Sequence, residues 1–484
     1  MSSSGAPCDP RPLIRESLRI AGEKVPRERV IEIHHPYSGK LVGTVPKATL
    51  DDVKRALAIA HNYRSKLTRY ERFRILTAAG EGIAAKREEL AALITLESGL
   101  CLKDSRYEVG RASDVLLFAA QQSLVDSAEV FSCDLTAHGK SRKVYTLREP
   151  LLGAISAITP FNHPLNQVVH KVAPAVATNN RVVLKPSEKT PLTAFAFADI
   201  LYEAGLPAEM LSVVTGDPAE IADELLTSAH VDLVTFTGGV SIGKSVAAKA
   251  VYKRQVLELG GNDPIIVLED ADLEEAAALA ARGSYQNSGQ RCTAVKRMLV
   301  QESVADRFVE LLVEHTRAVR YGDPFDPSMD MGTVIDEPSA RRFEAVVNEA
   351  VAGGAKLLIG NVRRGALYSP TVLDRVTPEM TVVRQETFGP VSPVIRFKTV
   401  EDAIRISNGT PYGLSSSLCT NRLDLVTRFV QELQVGSVNV REVPGYRLEI
   451  TPFGGIKDSG LGYKEGVLEA MKSFTNTKTY SLPW

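Results

Sequence analysis

Residues 231–245 read VDLVTFTGGVSIGKS, an apolar run that stops at two glycines and continues into a segment of small and apolar residues. β-Branched and aromatic residues at this density are typical of a buried strand. The paired glycines permit a tight turn, and a strand that turns directly into a helix is the first half of a βαβ unit. The stretch therefore predicts a mainly parallel α/β sheet whose ligands bind beyond the carboxyl ends of its strands.

The same alternation of strands and helices extends in both directions along the chain. Strand-length apolar runs lie on either side: LGAISAIT (152–159), RVVLKP (181–186), LSVVTG (211–216) and QVLELGG (255–261). A second series follows: DPIIVLED (263–270), RMLVQES (297–303), PVSPVIRF (390–397) and GSVNV (436–440). Residues 51–125 instead place apolar side chains at helical spacing, which predicts helices. We expect two α/β domains that meet near residue 260.

Two further segments have the pattern of exposed strands. Residues 129–150 (EVFSCDLTAHGKSRKVYTLREP) alternate like a hairpin, and residues 473–483 (SFTNTKTYSLP) are strand-like. They could pair with each other or with another subunit, because unpaired strand edges attract partners. Simple surface hairpins are the alternative, and the sequence does not decide between them.

The bulk composition restricts the class of protein. A chain of 484 residues is too long for one compact core. A formal net charge of −1 provides no basic field, so we expect no nucleic-acid partner. No apolar run reaches the roughly 18 residues of a membrane span, and the N-terminus lacks a signal-peptide core. We therefore expect a cytoplasmic protein without a membrane partner. No metal framework is predicted, because no CxxC pair occurs among Cys8, Cys101, Cys133, Cys292 and Cys419.

Residues 238–245 (GGVSIGKS) satisfy the P-loop pattern of nucleoside triphosphatases. The apolar stretch 264–270 (PIIVLED) could supply the acidic strand that holds magnesium in such enzymes. Glycine-rich turns before a helix bind the pyrophosphate of a dinucleotide equally well. The common G-x-G-x-x-G fingerprint is absent, so a dinucleotide domain would be an atypical Rossmann fold. Taken alone, the motif leaves both alternatives open.

Three residues in loops and at strand ends suggest catalysis. Glu258 lies between two leucines, and an apolar setting raises the pKa of a carboxyl toward that of a general base. Cys292, in NSGQRC (287–292), follows an arginine that could favour its thiolate. Asn162, in TPFNHP, could donate a hydrogen bond to an oxyanion. Their ordinary roles are, respectively, an edge-strand carboxylate, a buried small apolar residue and a turn former.

Seven motifs occur in the order and approximate spacing of one family: TPFNHP, KPSEKTP, FTGGVSIG, LELGGNDP, NSGQRC, QETFGP and FGGIKDSG. In these motifs the chain resembles the aldehyde dehydrogenase superfamily, over about residues 30–480. The resemblance implies an α/β fold with two doubly wound domains and a β-hairpin oligomerisation arm. It assigns residues 1–128 and 151–260 to an NAD-binding domain and residues 261–445 to a catalytic domain. The arm would combine residues 129–150 and 446–484, in a homodimer or homotetramer.

The resemblance also assigns roles to individual residues. Cys292 matches the nucleophile, Glu258 the general base, and Asn162 an oxyanion donor that acts with the backbone N–H of Cys292. The implied cofactor-binding residues are Thr159, Pro160, Lys185, Glu188, Gly238, Gly239, Gly243, Glu386 and Phe388. Glu188 would accept the adenosine ribose hydroxyls and repel a 2′-phosphate, which favours NAD over NADP. A second acidic residue of the family has no clear register in LGYKEG, so Glu465 receives no role.

These assignments imply oxidation of an aldehyde to its acid through a Cys292 thioester, which water activated by Glu258 cleaves. Transfer of the acyl group to coenzyme A is the alternative fate, and a glutamate at position 258 favours water. A non-enzymatic role, known for some family members, is disfavoured by the intact Cys292 and Glu258.

Four basic residues predict an anionic substrate. Arg291 precedes the nucleophile, and His163 follows Asn162 and can add a donor or, when protonated, a charge. By resemblance, Arg111 lies at a substrate-binding position and Arg447 in the loop at the substrate entrance. Guanidinium groups suit phosphate- or phosphonate-like anions. The resemblance extends to phosphonoacetaldehyde dehydrogenases, with glyceraldehyde 3-phosphate and succinic semialdehyde as alternative substrates.

Overall fold

The computed structural model describes residues 12–483, so residues 1–11 of the predicted NAD-binding domain and residue 484 of the predicted arm lie outside it. The first strands are β1 (Ile14–Arg15), β2 (Leu18–Ile20), β3 (Glu23–Val25), β4 (Val30–His34) and β5 (Leu41–Pro46). Helices follow as α1 (Leu50–Asn62), α2 (Arg69–Ala85), α3 (Arg87–Ser98) and α4 (Leu102–Ser123). The next strands are β6 (Val130–Ser132) and β7 (Lys143–Pro150).

Strands and helices then alternate in two blocks. The first comprises β8 (Ala154–Ile158), α5 (Asn166–Ala177), β9 (Val182–Lys185), α6 (Leu192–Glu203), β10 (Leu211–Val213), α7 (Pro218–Thr227), β11 (Val231–Thr237), α8 (Val240–Lys249) and β12 (Arg254–Glu258). The second begins with β13 (Pro264–Val267), α9 (Leu273–Tyr285), β14 (Arg297–Gln301), α10 (Glu302–Ala318), α11 (Glu337–Ala352) and β15 (Lys356–Ile359). It continues with β16 (Arg363–Arg364), β17 (Leu367–Tyr368), β18 (Thr371–Asp374), α12 (Thr381–Arg384), β19 (Val391–Phe397), α13 (Val400–Asn408), β20 (Ser415–Cys419), α14 (Leu423–Glu432) and β21 (Ser437–Val440). The chain ends with α15 (Val467–Ser473) and β22 (Thr475–Leu482), and short 3-10 helices cover Ala208–Met210, Gln286–Gly289 and Lys457–Ser459.

The first block forms a seven-stranded sheet in the order β12-β11-β8-β9-β10-β2-β3. The strands from β12 to β10 run parallel, and β2 and β3 add an antiparallel edge. In β11, the run VDLVTFT is buried at every position except Asp232, as expected for a strand covered on both faces. The sequence prediction of a parallel α/β sheet around this stretch is confirmed.

The second block forms a separate seven-stranded sheet in the order β15-β18-β19-β14-β13-β20-β21. All neighbouring pairs are parallel except β15 with β18, which is antiparallel. Because carboxyl ends of parallel strands collect at one edge of a sheet, each block presents its loops along such an edge. The fold is therefore α/β with two main sheets, as the sequence predicts.

The hairpin-like segments form a third sheet in the order β22-β7-β6. Antiparallel pairing joins β22 to β7 from Thr475 opposite Pro150 to Leu482 opposite Lys143. The two predicted segments thus pair with each other within one chain. The part of the chain between β21 and β22 lies outside this sheet, and α15 packs against α5 instead.

Helices α3 and α4 each supply a buried carboxylate to the N-terminus of another helix. Glu97 accepts hydrogen bonds from the backbone N–H groups of Leu192 (2.7 Å) and Thr193 (3.1 Å) at the start of α6. Glu108 accepts from the N–H groups of Leu165 (2.8 Å) and Asn166 (3.0 Å) at the start of α5. These contacts give acceptors to first-turn N–H groups that have no partner within their own helix. The contact of Glu108 also fixes α4 against the loop that follows β8.

Candidate active site

A cavity of about 590 Å³ extends from the carboxyl ends of β9 and β11 to the loop that carries Cys292. Its lining includes eleven of the residues singled out in the sequence: Thr159, Pro160, Asn162, Lys185, Glu188, Gly238, Gly239, Glu258, Cys292, Glu386 and Phe388. The predicted catalytic and cofactor residues, which are distant in sequence, therefore line one space. Five other predicted residues lie outside its lining: Gly243, Arg111, His163, Arg291 and Arg447.

The turn after β11 forms one end of the cavity. Gly239 is the N-cap of α8, and no side chain caps the helix. The N–H groups of its first turn have no helical partner, so they suit the oxygens of a pyrophosphate. Gly243 allows α8 to pack closely, because a Cβ there would lie 2.3 Å from the side chain of Leu259. Lys244 points elsewhere and pairs with Asp458 at 2.7 Å, so it does not take the position of a P-loop lysine.

Charged side chains surround the region next to β9. Lys185, at the end of the strand, is buried and forms an ion pair with Glu188. Lys189 pairs with Asp336 at 2.5 Å. Both lysines that could attract a 2′-phosphate therefore already have a carboxylate partner. The predicted repulsion between the Glu188 carboxylate and a 2′-phosphate is likewise weakened, since Lys185 neutralises the charge of Glu188.

Glu386 and Phe388 approach the catalytic end of the cavity. The Glu386 carboxylate accepts a hydrogen bond from the backbone N–H of Gly261 (3.1 Å) and lies 3.1 Å from the Lys296 ammonium. A side chain at Gly260 would collide with it, since a Cβ there would lie 2.0 Å from its oxygen. Phe388 packs edge-on against Phe161, with ring centroids 5.8 Å apart.

The loop before Cys292 is held in a left-handed conformation. Asn287, Ser288 and Gly289 have φ values of 60°, 54° and 70°. Such values cost free energy for residues other than glycine, and surrounding contacts must maintain them. The N–H of Asn287 donates to buried Asp104 at 2.8 Å, and Gly289 lies against the backbone of Gly389. The nucleophile loop is therefore preorganised by its neighbours.

Burial raises the pKa of the Cys292 thiol, with Lys296 and Arg447 acting in the opposite direction. Lys296 also donates to the backbone carbonyl of Cys292 at 2.5 Å. The resting thiol is therefore protonated at neutral pH, and the charges that favour its thiolate come from Lys296 and Arg447. Sequence reasoning assigned that role to Arg291 and missed Lys296, although Lys296 lies only four residues after the cysteine.

Glu258 ends β12 inside the cavity. It is buried, and neither carboxylate oxygen has a hydrogen-bond partner within residues 12–483. Burial, reinforced by the negative charge of Glu465, raises the pKa of Glu258 well above its usual range. A buried carboxyl with free oxygens and a raised pKa is suited to accept a proton from water near neutrality.

Glu465, which the sequence left without a role, lies close enough to Glu258 to raise its pKa. Its backbone pairs with Phe453, and its carboxylate accepts a hydrogen bond from Lys171 at 2.6 Å. Lys171 is fully buried on α5 and also donates to the Thr235 hydroxyl at 2.9 Å. The Lys171 ammonium lowers the pKa of Glu465, so this carboxylate is charged next to Glu258.

Asn162 lies beside the nucleophile loop. Its side-chain N–H₂ donates to the backbone carbonyl of Gln290 at 2.9 Å. The backbone carbonyl of Asn162 accepts from the side-chain amide of Asn287 at 2.9 Å. The amide therefore faces the backbone two residues before Cys292. One N–H is engaged there, and the other is free of hydrogen bonds within the described residues.

The predicted substrate residues lie outside the lining of the cavity and are held by other side chains. Arg291 is buried and donates to Gln286 at 2.9 Å. Arg447 stacks on Phe453, 3.8 Å from the ring centroid. Arg111 on α4 donates through Nε to Glu449 at 2.5 Å. Glu449 was missed in the sequence because nothing near it signals a partner 338 residues away.

His163 lies 3.4 Å from Glu108 and is also buried. Burial lowers its pKa, so at neutral pH it offers a hydrogen bond and no charge. Of the two roles considered for His163, its surroundings disfavour the charge, and the Nδ1–H of the neutral ring faces the Glu108 carboxylate.

Two general features complete the site description. Within residues 12–483, no cluster of three or more His, Cys, Asp or Glu side chains is placed to hold a metal ion. Over the same range, no helix combines the length and apolar character required to cross a bilayer.

A cavity of about 590 Å³ lined by a partly exposed thiol and by a carboxyl that lacks hydrogen-bond partners within residues 12–483 suits a nicotinamide-dependent oxidoreductase. The family model "Aldehyde dehydrogenase family" matches residues 23–480, and the chain belongs to this family. It is 37% identical over 462 residues to 3-sulfolactaldehyde dehydrogenase of Priestia aryabhattai, covering 95% of this chain and 96% of the relative.

Solved structures agree over nearly the whole chain. NADP-dependent glyceraldehyde-3-phosphate dehydrogenase from Bacillus halodurans C-125, complexed with NADP, matches with a TM-score of 0.94 and 36% identity, covering 97% of this chain and 99% of that one. NAD-dependent aldehyde dehydrogenase from Sinorhizobium meliloti matches with a TM-score of 0.92 and 33% identity, covering 98% and 95%. The protein is thus an NAD(P)-dependent aldehyde dehydrogenase, and the triphosphatase alternative is wrong.

Proposed function

We propose that the enzyme oxidises a short anionic aldehyde with NAD, and that its substrate is phosphonoacetaldehyde, converted to phosphonoacetate. The observation that carries this proposal is a connected group of guanidinium side chains next to Cys292: Arg111 and Arg447 share Glu449, and Arg111 lies close enough to Arg291 to affect its pKa. Arg447 is close enough to affect the pKa of the Cys292 thiol, and Arg291 directly precedes Cys292 in the chain. A substrate whose aldehyde carbon reaches the thiol would place a nearby anion among these guanidinium groups.

The cofactor fits the residues of the cavity. The uncapped start of α8 offers N–H groups to a pyrophosphate, and the buried hydroxyls of Thr159 and Thr237 lack partners within residues 12–483. Lys185 and Glu188 line the same cavity as Cys292, and we assign them to the adenosine ribose. When bound, the nicotinamide ring supplies the acceptor for the hydride.

The residues of the chain account for the remaining steps. The Cys292 thiol releases its proton to solvent and its sulfur attacks the aldehyde carbon, and the oxyanion accepts hydrogen bonds from the Cys292 N–H and the Asn162 side chain. Loss of hydride from that carbon leaves a thioester. Glu258 takes a proton from water, which attacks the thioester and releases the acid and the thiol. The free oxygens of Glu258 favour this hydrolysis over transfer to coenzyme A.

The choice of anion rests on geometry and on a relative. Arg291 is adjacent to the nucleophile, which favours an anion separated from the aldehyde by very few atoms. The name of the 3-sulfolactaldehyde dehydrogenase, 37% identical, also specifies a small aldehyde with a tetrahedral anion. Sulfolactaldehyde is therefore the second candidate, and glyceraldehyde 3-phosphate and succinic semialdehyde remain alternatives.

The substrate proposal is tested by a screen of purified enzyme. Phosphonoacetaldehyde, sulfolactaldehyde, succinic semialdehyde, glyceraldehyde 3-phosphate and neutral propanal are compared at matched concentrations, with reduced nicotinamide followed by absorbance. We expect kcat/KM to be highest for phosphonoacetaldehyde. A preference for propanal would refute the anion pocket, whereas a preference for another anionic aldehyde would refute phosphonoacetaldehyde alone.

Substitution of the arginines tests the pocket itself. Arg291→Ala and Arg447→Ala should each raise the KM for the anionic aldehyde and leave the KM for NAD almost unchanged. Losing one charge-assisted pair costs about 1.5–3 kcal/mol, or roughly one to two powers of ten in kcat/KM. Wild-type kinetics in both variants would contradict the proposed pocket.

A preference for NAD over NADP is also proposed, from the Glu188 carboxylate. Because Lys185 already neutralises part of its charge, we expect the preference to be modest. Glu188→Gln should narrow the ratio of kcat/KM values for the two cofactors. Equal efficiency of both cofactors in the wild type would contradict the assignment.

A further inference from the structure

One carboxylate connects three side chains at the proposed anion pocket. Glu449 is buried in the loop between β21 and α15. Its oxygens accept hydrogen bonds from Arg111 Nε at 2.5 Å and from His170 Nε2 at 2.6 Å. The Arg447 guanidinium lies 3.8 Å away. Two of the three proposed substrate arginines therefore share one protein counter-ion.

The surroundings of Glu449 and His170 determine the charge of each of these two side chains. His170, Arg111 and Arg447 hold the pKa of Glu449 well below its usual range despite burial, so it is a carboxylate at neutral pH. Burial lowers the pKa of His170, which is therefore neutral and donates its Nε2–H. The two arginines and Glu449 together carry one net positive charge, to which Arg291 adds a second.

The arginines remain able to bind a ligand. Glu449 engages the Nε of Arg111 and leaves the two terminal nitrogens of the fork without hydrogen bonds inside residues 12–483. Arg447 Nη1 is buried and likewise has no partner there. A buried guanidinium N–H without an acceptor is costly, so this atom marks a position where an anion would be stabilised.

The side chain of Glu449 joins its loop to α4 and α5 through Arg111 and His170, contacts that a neutral amide could also make. Within residues 12–483, each hydrogen bond and ion pair of its side chain goes to Arg111, His170 or Arg447, and none to the backbone. A buried carboxylate could be replaced here by an amide of the same shape with the loop intact. What the carboxylate adds is a negative charge next to the pocket.

That charge matters because the product is more negative than the substrate. Oxidation converts a neutral aldehyde group into a carboxylate, so phosphonoacetate carries one negative charge more than phosphonoacetaldehyde at the same phosphonate ionisation. Without the charge of Glu449, the guanidinium groups of Arg111 and Arg447 would hold this product more tightly than the substrate. A fixed negative charge weakens both, and it weakens the more highly charged product more.

We propose that Glu449 is a specificity-determining residue that reduces the positive charge of the anion pocket, so that the pocket accepts an anionic aldehyde and still releases the more negative acid. Glu449 acts through Arg111 and Arg447 and does not touch the substrate. This inference rests on the proposed function, because it presumes that the substrate anion lies among these arginines.

The test compares Glu449→Gln with the wild type. The Gln oxygen can accept from Arg111, and its N–H₂ can donate to His170 Nε2 once the imidazole proton moves to Nδ1, which has no partner within residues 12–483. We expect the inhibition constants of phosphonoacetate and of inorganic phosphate to fall about tenfold, with a smaller fall in the KM for phosphonoacetaldehyde. The KM for propanal should change less than any of these values.

Two variants make the comparison decisive. Glu449→Ala removes the same charge and must shift the inhibition constants in the same direction, which covers the case that the Gln variant does not fold. Asp374→Asn is the matched control, because it removes a buried carboxylate from Arg396, a pair on β18 and β19 outside the pocket. We expect the control to lower stability without changing the inhibition constants.

Weaker or unchanged inhibition by phosphonoacetate and phosphate in both Glu449 variants would overturn the proposal. A loss of activity that is equal for anionic and neutral aldehydes, with unchanged inhibition, would assign Glu449 a purely structural role and overturn it as well. Failure of the proposed function gives a different result, since wild-type enzyme would then prefer propanal and be insensitive to phosphonoacetate.

Discussion

At the scale of single residues, the site depends on a carboxyl that the fold leaves without hydrogen bonds. Glu258 lies at the end of a buried strand, where burial and the charge of Glu465 oppose its ionisation. Such a group would be a defect in a structural core, because a buried acceptor without a donor costs about 1–3 kcal/mol. In a hydrolytic step it is useful, since the raised pKa makes the carboxylate a stronger base.

The pH dependence of thioester hydrolysis should report this raised pKa. Glu258 must be ionised to accept a proton, so the single-turnover hydrolysis rate should increase with pH through a midpoint well above that of a free glutamate. Acylation, measured as the burst of reduced cofactor, should depend differently on pH because Cys292 governs it. A hydrolysis rate that is flat above pH 5 would contradict the assignment of Glu258 as base.

The same shift has a consequence for stability. A carboxyl whose pKa is higher in the folded state than in the unfolded state stabilises the fold when protonated, and this contribution is lost as pH rises through the folded value. Glu258→Gln removes the ionisable group. The Tm of the variant minus the Tm of the wild type should therefore be larger at pH 9 than at pH 5, as measured by calorimetry. An equal Tm difference at both values would indicate that Glu258 ionises freely.

At the scale of elements, the nucleophile loop shows how local strain is maintained by tertiary contacts. Three consecutive residues, Asn287 to Gly289, adopt positive φ values, and Asp104 from α4 receives the first N–H. Only the last of the three is glycine, and a Cβ there would lie 2.4 Å from the backbone of Gly389. The position of Cys292 thus depends on contacts between distant parts of the chain.

Gly289→Ala should therefore impair the enzyme more than strain alone predicts. A left-handed alanine costs about 1–2 kcal/mol, and the collision with Gly389 adds to it. We expect a lower Tm together with a fall in kcat of at least about tenfold, measured with saturating NAD. Gly365→Ala is the matched control, since Gly365 has φ of 59° and open space around it. An equal effect of both substitutions would show that the close packing is unimportant.

The sequence predicts these elements unevenly, for physical reasons. Strands β8 to β12, β13, β14, β19 and β21 were predicted, mostly because buried parallel strands are continuous apolar runs, whereas β15 to β18 and β20 were not predicted. The N-terminal strands β1 to β5 were not predicted, since they are only two to six residues long and most are partly exposed. The motif residues Cys292, Glu258 and Asn162 stand in recognisable local patterns.

Other members of the site have no local signal. Glu449 and His170 meet across 279 residues, and Lys171 and Glu465 meet across 294. A charged residue on a helix or in a loop is usually solvated, so sequence reasoning has no basis for burying these four. Only the tertiary fold brings them next to Glu258 and the arginines.

At the scale of the whole molecule, the three-stranded sheet β22-β7-β6 presents apolar side chains to solvent. Val130 and Phe131 on β6 are about half exposed, at 56% and 50%. Tyr480 on β22 stacks on Tyr145 with centroids 5.3 Å apart and is also exposed. An exposed apolar sheet of this kind is typical of a subunit interface, which supports the prediction that it is the oligomerisation arm.

Charge placed on this sheet should separate the subunits. The double substitution Val130→Glu and Phe131→Glu is expected to reduce the molar mass in solution, measured by light scattering after size-exclusion chromatography. The control is Leu423→Glu on α14, another exposed apolar residue, which should leave the mass unchanged. A wild-type monomer, or equal masses of wild type and double variant, would contradict the assignment of the arm.

The central claim is that Cys292 forms a thioester with a short anionic acyl group and that Glu258 directs water to it. The most direct measurement is intact-protein and peptide mass spectrometry of Glu258→Gln after mixing with NAD and phosphonoacetaldehyde. The account predicts a burst of reduced cofactor near one equivalent per active site and a phosphonoacetyl group on the peptide that contains Cys292. Steady turnover at the wild-type rate, or an acyl group on any residue other than Cys292, would contradict it.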